Sequence, residues 1–318
     1  MIFNENETFK NKIGFAIQYF RQKNKLSQSA LCKGVCSVSA LSRIEAGERE
    51  ADALLLEVLL ERMGKTTDKF ELILTDSDYV SFQKRQEIKR LIHNNDLVGA
   101  AEQLDLYQLI NQAKGNVHKQ FITRTESKIN ELKGGAIEKS IDLLTKAVTY
   151  TVPDFRTNGF NEYLLSSSEL DIIIDIAIKY SFIGASAKAK DILFQILEYL
   201  DMRKYMEAMN NLYPKVSIIL CRLLNQTIDF DKIIEICSKG LKKDKSNLKL
   251  EYKGELLLIK AQTREFMIKR ENMQLKMVKE YLKYYLEAYY IFDICGNTTK
   301  TDYIKRYLKE ENAWEYID

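Results

Sequence analysis

The sequence has only 2 prolines and 13 glycines in 318 residues, so little interrupts long helices and little supports a turn-rich β architecture. Histidine is nearly absent: His93 and His118 are the only two, and neither has an Asp, Cys or Ser partner at a catalytic spacing. Surface or capping roles are expected for both. Of the 5 cysteines, Cys32 and Cys36 form a C-x3-C pair, but no second pair or neighbouring His completes a metal-ligand set. The odd count and the apolar surroundings of Cys221, Cys237 and Cys295 favour reduced thiols that pack as small hydrophobes.

No phosphate-cradling G-x-x-x-x-G-K-S/T loop, G-x-G-x-x-G fingerprint or G-x-S-x-G elbow occurs. No enzyme is therefore expected, and no cofactor, metal or catalytic residue is assigned. Long apolar runs are missing too. The best window, Leu170 to Ile178, is broken by Asp171 and Asp175, so no membrane span is expected. The first ten residues, MIFNENETFK, lack the apolar centre of a secretory signal, and a cytoplasmic protein is the expectation.

Charge of one sign is also scarce. Against 48 Lys and Arg stand 45 Asp and Glu, a net charge of +3, so any nucleic-acid contact must be a local patch rather than a basic coat. With 46% hydrophobic and 29% charged residues, the chain has material for a large core under a solvated surface. Its length suggests more than one structural unit.

Leu26 to Arg49, LSQSALCKGVCSVSALSRIEAGER, is the most legible stretch. Ser27 is a natural N-cap for a short helix opened by Gln28, with Leu31 as its inward anchor. Lys33-Gly34 makes a tight turn. Ser37 caps a second helix in which Leu41 and Ile44 point inward while Val38, Ser39, Ala40, Ser42 and Arg43 stay available. This is helix-turn-helix geometry with a small-residue recognition helix.

Such a helix reads base edges from its first turns while flanking polar groups hold phosphates. Gln28 and Ser37, at helix N-termini, are therefore assigned to phosphates. Val38, Ser39, Ala40 and Ser42 are assigned to bases, and Lys33, Arg43 and Arg49 supply charge. Glu45 is expected to be structural, pairing with a cation such as Arg21.

A helix with Phe9, Ile13, Ala16, Ile17 and Phe20 on one face precedes this pair, and a leucine-rich helix from Asp52 to Met63 follows it. The segment from Thr66 to Leu74 is expected to pack against them, with a joint at Thr75 to Asp78. The domain boundaries expected are 1–74 for DNA binding and 79–318 for the remainder.

From Tyr79 onward the pattern is one of repeated helix pairs. A small or turn residue is followed five later by a small residue, then by apolar ones four and seven beyond, as in tetratricopeptide repeats. Four segments fit: Asn95, Ala100, Leu104, Tyr107; Gly135, Ser140, Leu144, Ala147; Gly184, Ala189, Leu193, Ile196; and Ile228, Ile233, Cys237, Gly240. They recur about 40 to 49 residues apart, longer than the usual ~34.

Leu248 to Lys269 and Leu275 to Asp293 would add a further pair, rich in Tyr281, Tyr284, Tyr285, Tyr289 and Tyr290. At helical spacing those tyrosines read as core or interface. Lys300 to Trp314 reads as a terminal capping helix, and Pro214, inside a helical pattern, should kink it. The fold class expected is all-α: an N-terminal helix-turn-helix domain followed by a tetratricopeptide-like helical-repeat solenoid.

The run L-S-Q-x-x-L-x-x-G-x-C-S-x-S-x-L-S-R-I-E-x-G, Leu26 to Gly47, resembles the Xre-type helix-turn-helix of the RRNPP superfamily, particularly its PlcR and Rgg branch. The compact turn ending in Cys36-Ser37, the Tyr213-Pro214-Lys215 run and the Asp229-Phe230-Asp231-Lys232 turn extend the likeness. The resemblance implies a homodimeric transcriptional regulator that binds palindromic double-stranded DNA and answers to a short imported signalling peptide held by the repeats. In that family an asparagine often follows the helix proline by about five residues; here the position is Ile219. Asn210, Ser217 and Tyr252, placed on first helices of pairs off the apolar stripe, are the expected peptide contacts. The alternative is a helix-turn-helix regulator whose repeats bind a protein partner or only dimerise.

Overall fold

In a computed structural model the residues described are 5–66, 76–111, 114–157, 159–160, 162–203, 209, 211–226, 228–242, 249–271 and 275–310. They form helices and connecting turns, with no strand among them. The chain divides into two compact units, Met1–Ala208 and Met209–Asp318.

The first unit opens with α1 (Glu5–Lys23), α2 (Gln28–Cys32), α3 (Val38–Glu45) and α4 (Ala53–Arg62). Each short helix starts where a side-chain oxygen can take up free backbone amides. Ser27 accepts from Ala30 N, Ser37 from Ala40 N, and Asp52 from Leu54 N and Leu55 N, each cap being worth about 1 kcal/mol. Gly47 and Gly64 end α3 and α4 in the left-handed conformation. Ile17, Leu31, Leu41, Ile44, Leu56, Leu59 and Leu60 form the centre of this bundle. Val117 and Leu164, from far along the chain, belong to the same core.

Three helix pairs complete the unit: α5 (Asp76–His93) with α6 (Leu97–Asn111), α7 (Gly115–Leu132) with α8 (Ile137–Thr151), and α9 (Ser167–Phe182) with α10 (Ser186–Met202). The repeat positions are interior. Ala100, Leu104 and Tyr107 are buried, as are Ser140, Leu144 and Ala147, and Ala189, Leu193 and Ile196. Ser166 and Glu169 form a reciprocal capping box at the start of α9. The helix-turn-helix and these three pairs lie together in the first compact unit, which ends at Ala208.

The second unit holds α11 (Leu212–Asn225), α12 (Phe230–Lys242), α13 (Leu250–Glu271), α14 (Leu275–Ile294) and α15 (Thr298–Glu310). Ile233 and Cys237 are buried, and a Cβ on Gly240 would approach Leu256 Cδ1 at 2.9 Å, so the fourth repeat pattern also marks interior positions. Tyr281 and Tyr285 are core, Tyr284 and Tyr289 partly buried, and Tyr290 exposed. Tyr285 donates to Glu265 at 2.7 Å.

Two expectations are corrected by these elements. Pro214 does not kink a helix: α11 begins at Leu212, so the proline lies in the first turn, where its missing N–H has no intrahelical acceptor to lose. His118 is neither on the surface nor a cap itself but buried, whereas His93 is exposed. The cysteines are free thiols: Cys32, Cys221 and Cys237 are buried and Cys36 and Cys295 half-buried, with the Cys221 and Cys237 sulfurs 3.7 Å apart. No described helix is long and apolar enough to cross a membrane. The expected packing of 67–74, the side chain of Phe9 and the end of the capping helix at Trp314 lie outside the described residues.

Candidate DNA-binding face and repeat crevices

The recognition helix α3 is held from below by a charged network. Glu45 is buried and accepts from Arg21 Nε at 2.6 Å, Arg21 Nη2 at 2.8 Å and Gln28 Nε2 at 2.8 Å. Arg21 Nη1 also donates to Leu26 O at 3.0 Å. Donating these hydrogen bonds to Glu45 raises the Arg21 pKa above its ordinary value. The expected Arg21–Glu45 pair is thus present, and it takes up the amide of Gln28, which is half-buried.

On the opposite side of α3, Ser37, Val38, Ser39, Ser42 and Arg43 are exposed, and Arg49 is exposed just beyond it. Among the described residues Arg43 has one distant ion-pair neighbour, Glu48 at 3.9 Å, across an exposed gap. Two expected members of this face lie elsewhere. Ala40 is 7% exposed and packs inward, because its place three residues after the cap puts it on the side of Leu41 and Ile44. Lys33 turns from the face altogether: its ammonium lies 3.5 Å from Asp154 and 5.1 Å from the Tyr163 ring centre.

The reason is a seam between the helix-turn-helix and the helix pairs behind it. Arg62, the last residue of α4, is enclosed. It donates from Nη2 to Glu169 Oε1 at 2.6 Å and Thr151 O at 3.1 Å, and from Nη1 to Leu31 O at 3.0 Å and Lys33 O at 2.8 Å. Burial alone would favour the neutral acid of Glu169, but the guanidinium overcomes it and the carboxyl is held below its ordinary pKa. The Nε2 of His118 lies 3.0 Å from Asp52 Oδ1, the cap of α4, and its Nδ1 lies 2.7 Å from Tyr107 OH. Burial opposes ionisation of Asp52, and His118 again outweighs it. Asn116 donates to Gly34 O at 2.8 Å.

Gly34 is required at this seam. Its φ is +80°, and a Cβ there would collide with the carbonyl of Thr151 and come within 2.9 Å of Pro153 Cδ. Beside it opens a crevice of about 440 Å³ with Ala30, Lys33, Arg62, Asp154, Tyr163 and Arg203 in its walls. None of these seam contacts was expected from the sequence. The one available signal was Arg62 itself, a cation ending the leucine-rich run of α4.

The second unit has a crevice of about 650 Å³ bounded by α11, the turn into α12, and α13. Ile228, Phe230, Leu258 and Phe266 supply apolar walls, and Asn225 and Gln262 supply side-chain amides. Phe230 and Phe266 rings are 4.8 Å apart. At its edge Arg222 pairs with Glu255 at 3.2 Å, and Lys300 also reaches Glu255. Ile228 is held at φ +58°, an uncommon conformation for a β-branched residue.

The expected peptide contacts are not brought together here. Ser217 is fully buried near Gly240, its hydroxyl without a hydrogen-bond partner among the described residues, so it does not face a groove. Tyr252 is half-buried in the first turn of α13 and outside the crevice wall, while Asn210 lies outside the described residues.

Residues 17–70 match the helix-turn-helix family. No curated protein matches the chain in sequence. Among solved structures, the chain is similar to PlcR of Bacillus thuringiensis, in complex with the peptide PapR7 and DNA. The two share 17% identity and a TM-score of 0.50, over 92% of this chain and 99% of that one. The SHP pheromone receptor Rgg2 of Streptococcus dysgalactiae gives 16% and 0.44 over 94% and 99%. The apo competence regulator ComR of Streptococcus vestibularis gives 17% and 0.40 over 95% and 98%. Residues 17–70 thus carry a helix-turn-helix match, set within the all-α, helical-repeat fold that the chain shares with PlcR.

Proposed function

We propose that the protein is a cytoplasmic transcriptional regulator that binds palindromic DNA as a homodimer and is controlled by a short imported signalling peptide. In this reading residues 1–74 bind DNA, and residues 79–318 bind the peptide and dimerise. The observation that carries it is the outward side of α3: Ser37, Val38, Ser39, Ser42 and Arg43 stand exposed, while the buried charges below are all paired. Small side chains on that face suit readout by methyl contacts and bridging water. PlcR, whose fold the chain shares, was solved with a peptide and DNA bound, which favours the same two ligands here.

For the peptide, the crevice of the second unit is the better site than the residues expected from sequence. Its apolar walls and the amides of Asn225 and Gln262 suit an extended peptide that carries a large apolar side chain. Peptide controls DNA binding only if its affinity differs between the DNA-competent pose and another.

The test is to select DNA from a random pool with the full chain, then titrate the selected duplex with and without pooled synthetic apolar heptapeptides. A selected palindrome whose affinity changes with peptide supports the reading. Failure to enrich any DNA sequence would sink it.

A further inference from the structure

The four helix pairs can be superposed in sequence by their buried positions, Ala100/Leu104/Tyr107 of α6 matching Ser140/Leu144/Ala147, Ala189/Leu193/Ile196 and Ile233/Cys237/Gly240. In that register three outward positions of α6 are Val98, Leu106 and Leu109. Their counterparts are Glu138, Lys146 and Thr149 on α8, Ala187, Gln195 and Glu198 on α10, and Asp231, Lys239 and Lys242 on α12. Only α6 carries large apolar side chains at all three. They stand 67%, 42% and 69% exposed.

The surface is larger than one helix. Ser81 donates to Asn111 at 2.9 Å and Lys84 to Gln103 at 2.6 Å, so the start of α5 lies beside the end of α6. There Tyr79 and Phe82 are exposed as well. The first pair of a helical-repeat array normally presents a polar outer face to stay soluble, and this one does not.

We propose that this α5–α6 face is the dimer interface, covered by the same face of a second copy of the chain. This rests on the homodimer in the function proposed above and names the surface that forms it. The charges favour a second copy over a foreign partner. The two charged residues of α6, Glu102 and Asp105, are acidic and exposed, while Lys89 is exposed on α5 next to Arg90, which is paired with Glu87 at 2.7 Å.

A two-fold axis running along the hairpin lays α5 of one copy antiparallel on α6 of the other. The apolar ends then meet at one height, and Lys89 and Glu102 fall within about one helical turn of each other at the other. The product is an isologous four-helix bundle in which each contact occurs twice. It would tether the two recognition helices that a palindrome requires.

The experiment is sedimentation velocity of the full chain without DNA or peptide. Wild type is expected to be a dimer, and the pair Leu106→Lys with Leu109→Glu, residues the other repeats carry there, should raise its dissociation constant at least tenfold. Both positions are exposed, so circular dichroism should stay unchanged, and the melting temperature extrapolated to the dilute, monomeric limit should be that of the wild type. Glu102→Lys alone should weaken the dimer, and adding Lys89→Glu should restore it.

A dimer indifferent to these substitutions, or a monomeric wild type, overturns the proposal. So does a monomer whose melting temperature falls with the α6 pair, because the stripe is then covered within one chain. Loss of DNA selection with an intact dimer would instead overturn the function and leave the interface standing.

Discussion

Arg62 and Glu169 meet at 2.6 Å with side chains 2% and 0% exposed, although 107 residues separate them. A charge pair enclosed to that degree links the end of α4 rigidly to the start of α9. Removing one partner strands the other in an apolar surrounding, which typically costs about 3–5 kcal/mol. Glu169→Gln and Arg62→Met should each destabilise the first unit by that order, while the double change Arg62→Met with Glu169→Leu should cost less than either. Urea unfolding of the three variants measures this, and additive losses would show that the pair is not coupled.

Lys33 and Arg43 offer a direct contrast on DNA. Arg43 is exposed on the recognition face, and Lys33 is engaged with Asp154 and Tyr163. Arg43→Ala should weaken binding to the selected duplex about tenfold and lower the salt dependence by about one phosphate per subunit. Lys33→Ala should change affinity by less than about twofold, within what a distant charge contributes at ordinary salt. Equal losses for the two would mean that Lys33 swings onto DNA.

Glu61 provides a pH signature. Burial pushes its carboxyl up to about 7, with Glu57 adding repulsion, against the hydrogen bonds it accepts from Ser168 N and Oγ at 3.3 Å. Between its ordinary value and about 7 the folded protein holds a proton that the unfolded chain has released, so stability falls as pH rises through that window. Glu169 and Asp52, held below their ordinary values, act oppositely and lose their contribution only in more acidic solution. Glu61→Gln should therefore flatten the decline between about pH 5 and about pH 7, and raise the melting temperature at about pH 8. A slope that persists in Glu61→Gln belongs to another group.

Gly34→Ala should cost more than the loss of flexibility alone. Its φ of +80° disfavours alanine by about 1 kcal/mol, and the added methyl must displace the Thr151 carbonyl. Destabilisation of about 2 kcal/mol or more in thermal unfolding is expected. Gly134→Ala is the control: its φ of +72° carries a similar backbone strain, but a Cβ there meets nothing within 4 Å, so it should cost about 1 kcal/mol. Equal losses for the two would show that the Thr151 carbonyl yields freely.

Ser217→Ala should be neutral or stabilising by up to about 1 kcal/mol, since the hydroxyl is buried and has no hydrogen-bond partner among the described residues. Peptide response should be unchanged. A loss of response in a variant of unaltered stability would return Ser217 to the ligand site.

Local chemistry determined much of this protein. Ser27, Ser37 and Asp52 cap their helices because a short oxygen-bearing side chain before an apolar run satisfies backbone amides two or three residues on. The repeat pattern at Ala100, Leu104 and Tyr107 and its three echoes marks interior positions because residues spaced by three and four share one helix face. The exposed apolar stripe of α6 was equally present in the sequence, hidden until the repeats were put in register.

Tertiary structure alone decided the rest. Pro214 is harmless because the helix begins two residues before it, a boundary that periodicity does not set. Ala40 and Ser217 face inward through a rotation of less than half a turn, finer than a stripe of small residues resolves. Lys33 is withdrawn from the recognition face, and His118 is buried, by partners at Asp154 and Asp52 that no local pattern points to. Arg62 and Glu169 likewise have ordinary local roles, a helix end and a capping box, and become a pair only when α4 and α9 pack together. Nothing in short-range spacing encodes such a meeting, because it depends on how every helix between them is stacked.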